Sequence, residues 1–116
     1  MPNSQQHFDF IETVADALGA AVRALGGPKK VGAMLKPEKT IHDAAVWVTD
    51  CLNPDRAAEF HPEHVMFLLR EAARAGFHGA INFICADAGY APPAIVEPQD
   101  EIARLQHEFI EQTKAA

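Results

Sequence analysis

The segment of residues 27–54 reads GPKKVGAMLKPEKTIHDAAVWVTDCLNP and decides the fold, because it predicts two short helices separated by a turn. Pro28 suits the first turn of a helix, where its missing N–H costs nothing. The apolar face of this first helix recurs at spacings of three and four: Val31, Met34 and Leu35. Lys36-Pro37 ends the helix, because the residue before a proline is pushed out of the helical region. The turn is therefore expected near residues 37–39.

The second helix of this segment is expected to have one apolar and one outward face. Thr40, with Asp43 three residues later, resembles a capping box that begins it, and Asn53-Pro54 ends it. The residues predicted to face the core are Ile41, Ala44, Ala45, Val48 and Leu52. The outward residues are His42, Asp43, Val46 and Asp50, with Trp47 and Thr49 on the flanks.

Three more amphipathic helices surround this segment. The first contains Ile11, Val14, Ala15, Leu18, Ala21, Val22 and Leu25, with Asp9 as its expected cap and Gly26-Gly27 as its end. The next begins at His61-Pro62 and ends at Gly76, with core residues Val65, Leu68, Leu69 and Ala72. The last has Ile81, Ile84, Cys85 and Ala88 on its core face and ends at Gly89. No segment shows the period of two that is typical of strands, so the sequence predicts a compact all-α domain of five helices over residues 1–90.

The charge distribution favours a localised rather than a general affinity for nucleic acid. The net charge of −6 argues against a protein that coats nucleic acid nonspecifically, since phosphate neutralisation supplies most of that affinity. Residues 23–42, however, contain five basic residues and one acidic residue, whereas residues 61–116 contain four basic and eight acidic residues. The basic residues are either a DNA-facing patch or a solubilising surface.

Catalytic and metal-binding patterns are weak in this chain. Cys51 and Cys85 lie at helical positions far from any CxxC spacing, which favours buried thiols over a disulfide or a zinc site. His61 and His64 lie three residues apart at a helix start, where a capping role is expected. The sequence has no glycine-rich phosphate loop and no nucleophile elbow. We therefore expect no enzyme activity, no cofactor and no metal site.

Apolar runs in the chain are short. None approaches the roughly 20 residues that a helix needs to cross a bilayer, and residues 1–6 lack the basic start of a signal peptide. A cytoplasmic protein without membrane contact is expected.

Several blocks of the sequence together resemble the phage regulatory protein CII family of temperate phages. These blocks are LGGPKKVGAMLKPEKT, DCLNPDR, FHPEHVMFLLREA and GFHGAINFICADAGY, and the resemblance extends over about residues 18–90. It implies a λ-repressor-like fold with a helix-turn-helix and a role as a transcription regulator that binds double-stranded DNA. The helix that begins at Thr40 would then enter the major groove.

The candidate DNA-binding residues follow from that interpretation. Phosphate contacts are expected from Lys29, Lys30, Lys36 and Lys39, and base contacts from the helix start at Thr40 and from His42, Asp43, Val46 and Trp47. Trp47 is equally compatible with packing on the flank of the helix. The alternative class is a protein-interaction module that keeps the fold without binding DNA, which the overall acidity and the outward Asp43 and Asp50 would favour.

The C-terminal part of the chain changes character after residue 90. Residues 91–98 form a proline-containing linker, and residues 99–116 predict a further helix with Ile102, Leu105 and Phe109 at heptad spacing. A helix this short is marginal alone in water, so its apolar stripe must pack on its own domain or on a partner subunit. Homo-oligomerisation is slightly favoured, because dimers suit paired DNA half-sites.

Overall fold

The regular structure of this chain is helical throughout the part described by the computed structural model, which comprises residues 11–96, 102 and 105–111. The helices are α1 (Val14–Ala24), α2 (Pro28–Leu35), α3 (Ile41–Cys51), α4 (Pro62–Arg74) and α5 (Gly79–Asp87). Residues 91–96 have no regular secondary structure, and residues 102 and 105–111 are again helical. The predicted all-α class is confirmed for these residues.

The main core is built around α1, which lies against three of the other helices. Its buried residues come from α1 to α4 in turn: Leu18, Val22, Val31, Val48 and Leu68. Leu35, Trp47, Leu52 and Phe60 cover this cluster from its margin. Burying a side chain of this size contributes about 1.5–3 kcal/mol, so this cluster stabilises the packing of α1 to α4.

A second, smaller core joins α1 to α4 and α5 through alanines. Ala17 and Ala21 of α1, Ala72 of α4 and Ala80 of α5 are all essentially inaccessible to water. Small side chains let helix backbones approach closely, and Leu69, Phe77 and Phe83 close the edges of this contact. Through these two cores α1 packs mainly against α4 and α5 and, to a smaller extent, against α2.

The predicted helix ends at glycines are confirmed by the backbone. At the end of α1, Gly26 and Gly27 have φ angles of 111° and 99°, which L-residues with side chains rarely adopt. The N–H of Gly27 donates to the carbonyl of Val22 at 2.9 Å, as a Schellman motif requires. Equivalent bonds from Phe77 to Ala72 and from Tyr90 to Cys85 end α4 and α5.

The start of α1 differs from the prediction. Asp9, the expected cap, lies outside the described residues, and the helix begins only at Val14 with Thr13 as its cap. The Thr13 hydroxyl oxygen accepts from the N–H of Asp16 at 3.0 Å. Thr13 takes this role because its hydroxyl oxygen reaches the orphan N–H group of the first turn.

The predicted core faces also need correction at the helix ends. Ile41, expected in the core, is 66% exposed, and Met34 and Val14 are exposed as well. In α5 the fully buried residue is Ala80, which was not predicted to face the core. Of the four residues predicted to do so, Ile81, Ile84 and Cys85 are half-buried and Ala88 is exposed. The apolar periodicity of a sequence identifies which side of a helix faces the core. It does not show how far along the helix the neighbouring helices extend, so residues near helix ends were wrongly assigned to the core.

Candidate nucleic-acid interface

The position of α3 is set by a close crossing with α2. A Cβ atom added at Gly32 would lie 2.8 Å from the carbonyl carbon and 2.9 Å from the Cβ of Ala44. Only glycine therefore allows the two backbones to approach as they do. Val31 beside Gly32 and Val48 one turn after Ala44 are both inaccessible to water, so this crossing is part of the core. The outer face of α3 is thus presented on a fixed support.

The connection between α2 and α3 is the predicted turn. It occupies residues 36–40, and the N–H of Lys39 donates to the carbonyl of Lys36 at 3.1 Å. The Thr40 hydroxyl oxygen accepts from the N–H of Asp43 at 3.1 Å, which confirms the predicted cap. Thr40 therefore has a structural role as the cap of α3. Its side chain is also exposed, next to Lys39.

Three of the four predicted phosphate-binding lysines are exposed, namely Lys29, Lys30 and Lys39. They lie on α2 and in the turn, and the stem of Lys30 runs close to Gly26. Lys36 differs, because it is half-buried and its Nζ atom lies 4.8 Å from the centre of the Trp47 ring. A cation over an indole face is held by the ring quadrupole. This contact ties the turn to α3.

The contacts of Trp47 favour the packing alternative over base contact. Its ring meets Phe60 edge-on at 5.4 Å between centroids and His64 edge-on at 5.2 Å. Such T-shaped pairs contribute about 0.5–1.5 kcal/mol beyond burial. Trp47 therefore joins α3 to the start of α4, on the flank of the candidate surface.

The outward face of α3 contains the remaining predicted base contacts. His42, Asp43 and Val46 are all exposed, and the Val46 side chain is 43% accessible. Asp43 lies in the first turn of α3, where the helix dipole favours a carboxylate. Asp50, further along, lies 3.9 Å from the Nε of Arg56, so its charge is partly balanced. Asp43 on the outer face of α3 and the exposed Glu38 in the turn are the other acidic groups near this surface.

His64 contributes to the start of α4, and the two cysteines are free thiols. The Nδ1 of His64 accepts from the N–H of His61 at 3.0 Å, so His64 completes the cap of α4 as predicted. Both cysteines are half-buried free thiols. Burial, with a smaller contribution from the Asp50 carboxylate, raises the pKa of the Cys51 thiol to about 11, which keeps this sulfur protonated at neutral pH.

Two other features of the described residues concern ligand binding. Among the described residues, no group of three or more His, Cys, Asp or Glu side chains is arranged to hold a metal ion. A groove of about 460 Å³ lies between residues 92–96 and the helices α4 and α5, with His78 and Asn82 as its polar lining. No residue of α3 lines this groove, so it is separate from the lysine-flanked surface.

The predicted oligomerisation residues lie on the C-terminal helical segment. Ile102, Leu105 and Phe109 are each at least half exposed, and Ile110 extends the same apolar stripe. The described part of this segment therefore presents its apolar side chains to solvent within one chain.

Two features of this region differ from the expectation from sequence. Ile41 was expected in the core but is 66% exposed, because α3 crosses α2 at Ala44, after the first turn of α3. Lys36 was expected to contact phosphate, and the sequence spacing of Lys36 and Trp47 gives no sign of the contact between them.

In comparisons with known proteins, no family model, curated protein or solved structure matches the chain. Within the described residues, no helix has both the length and the apolar character needed to cross a bilayer.

Proposed function

We propose that this chain is a transcription regulator of phage or prophage type that binds double-stranded DNA in the cytoplasm. In this proposal α2, the turn and α3 form the helix-turn-helix of a λ-repressor-like five-helix domain. The observation that carries it is the rigid presentation of the outer face of α3, fixed by the contact of Gly32 with Ala44 and flanked by lysines. Such a face is what a recognition helix needs to enter a major groove.

The roles of the side chains follow from their positions. The exposed Lys29, Lys30 and Lys39 would bind phosphates. Lys36 would bind a phosphate only from its position over the Trp47 ring. His42 would donate to a purine and Asp43 would accept from a cytosine amino group. Val46 would contact a thymine methyl group. Thr40 supports these contacts by beginning the helix.

Salt dependence of DNA binding tests this proposal directly. Replacing Lys29 and Lys39 with alanine should weaken binding to all sequences alike and reduce the salt slope by about two, at roughly one released counterion per phosphate contact. The measurement is log K against log salt concentration for the full chain. The matched control is the Arg70→Ala, Arg74→Ala double variant on α4, which removes the same charge from two exposed positions and should leave the slope unchanged. Equal slopes in all three proteins would place the interface elsewhere.

A second candidate function is a protein-interaction module with the same fold. The observation that favours it is the exposed Asp43 carboxylate on the outer face of α3, together with the net charge of −6. The absence of any salt-dependent DNA binding would favour this class.

We further propose that the regulator is a homo-oligomer joined through its C-terminal helical segment. The exposed side chains of Ile102, Leu105 and Phe109 support this, since an apolar stripe of this kind is stabilised by burial against a partner. A dimer would place two copies of α3 on paired half-sites.

A further inference from the structure

Ile41 is the most exposed large apolar residue within the five helices α1 to α5, with 66% of its surface accessible. It is the first residue of α3 and directly follows the cap at Thr40. Val46, the other exposed aliphatic residue of the helix, is 43% accessible. About two thirds of the Ile41 surface is accessible, so most of this side chain is open to contact with another molecule.

The exposure of Ile41 follows from where α2 meets α3. The two helices cross at Gly32 and Ala44, one turn beyond Ile41, and the packing continues from there towards Val48. Ile41 therefore lies at the free end of α3, beyond the contact with α2. Lys39 lies two residues before it in the turn, and Asp43 lies two residues after it in the first turn of α3.

We propose that Ile41 is a specificity-determining residue that contacts the C5-methyl group of a thymine. The inference rests on the proposed DNA-binding function, because a recognition helix contacts base edges with its N-terminal residues. In the major groove the thymine methyl group is the apolar feature that distinguishes this base, and aliphatic side chains recognise it by burial.

Ile41 and Val46 would report on different base pairs. Five residues separate them, which is about 7.5 Å along a helix axis. At 3.6 residues per turn, the two side chains also point about 140° apart around the helix, so they are not expected to contact the same base. Their effects on binding should therefore be independent of each other.

The experiment removes one methyl group at a time from the DNA. The full chain is first used to select bound duplexes from random DNA, and each thymine of the selected duplex is then replaced by uracil, which lacks only the methyl group. Dissociation constants are measured for the original protein, for Ile41→Ala and for the matched control Val46→Ala. Ile41 is exposed at the first position of a helix, so alanine there should leave the thermal midpoint nearly unchanged.

At one thymine we expect uracil to weaken binding by the original protein about fourfold, the equivalent of one buried methyl group. Ile41→Ala should show no loss at that thymine, whereas Val46→Ala should keep the loss there. If every uracil effect persists in Ile41→Ala, or if the selected duplexes contain no thymine, the inference about Ile41 is wrong and the proposed function stands. If no duplex is enriched and the chain binds no DNA, both are overturned.

Discussion

At the scale of single residues, His64 connects the stability of α4 to pH. Its Nδ1 accepts the N–H of His61, which requires this nitrogen to be unprotonated. Burial lowers the pKa of His64 below its usual value of 6.5, and the neighbouring His61 and Lys36 lower it further, against an opposing effect of Glu63. The unfolded chain therefore binds a proton more readily at this position than the folded chain does.

The domain should consequently lose stability as the pH falls below about 6.5. His64 contributes stability above that pH, and the contribution is lost as the pH falls through the lowered pKa of the folded state. Denaturant midpoints measured between pH 7.5 and pH 5.5 should fall for the original protein and fall less for His64→Gln. Glutamine suits this test because it can still accept from the N–H of His61 but does not titrate.

The control for this prediction is His42→Gln. This variant makes the same exchange of imidazole for amide at an exposed position on the outer face of α3, away from the start of α4. The same decline in His64→Gln as in the original protein would show that the titrating group lies elsewhere.

Val46 provides the residue-scale test of the outer face of α3. Its side chain is exposed, so Val46→Asn should leave the fold intact. Under the proposed function, the substitution should change preference at one base-pair position by about 1–3 kcal/mol and leave nonspecific affinity nearly unchanged, because no phosphate contact is removed. Competition between selected and random duplexes measures both quantities. A parallel loss for specific and random DNA would count against α3 as the reading helix.

At the scale of elements, the crossing of α2 and α3 depends on one glycine. Gly32→Ala would place a methyl group 2.8 Å from the backbone of Ala44, so the helices must separate or tilt. Overpacking of this kind costs about 1–3 kcal/mol, and we expect a loss of that size in the free energy of unfolding from denaturant titration. Because the shift moves α3 on its support, specific DNA binding should weaken more than nonspecific binding.

Gly19 offers a matched control within α1. A Cβ atom there would meet only the Nη1 of Arg23 at 3.6 Å, which is ordinary contact. Gly19→Ala should therefore stabilise the domain by up to about 1 kcal/mol, since alanine favours a helix interior. If alanine stabilised the domain at both positions, the prediction that a methyl group at Gly32 clashes with Ala44 would be wrong.

The elements were predictable to the extent that local chemistry determines them. Pro28, Pro37 and Thr40 set the boundaries of α2 and α3, because proline geometry and capping act within a few residues. The exposure of Ile41 and the contact of Lys36 with Trp47 depend on which helices meet in space. Neither can be obtained from the period of one helix, which is why the packing of the candidate surface emerged only from the structure.

At the scale of the whole molecule, charge and apolar surface are separated along the chain. The lysine-rich turn and α2 lie in the first half, whereas residues 61–116 are predominantly acidic. An acidic body opposes nonspecific binding to DNA and leaves attraction only near α3. The C-terminal segment adds an apolar stripe outside the two cores formed by the five helices.

The last prediction concerns that stripe and follows from the independence of the five-helix core. Removing residues 98–116 should lower the oligomeric state in sedimentation while the core still folds, because both core clusters lie within residues 11–83. A finer variant, Leu105→Ser with Phe109→Ser, should have the same effect, whereas Gln106→Ser with His107→Ser on the same segment should not. An oligomer melts at a temperature that rises with protein concentration, and this dependence should vanish in the truncated chain. If the oligomeric state is unchanged while thermal stability drops sharply, the segment packs on its own domain.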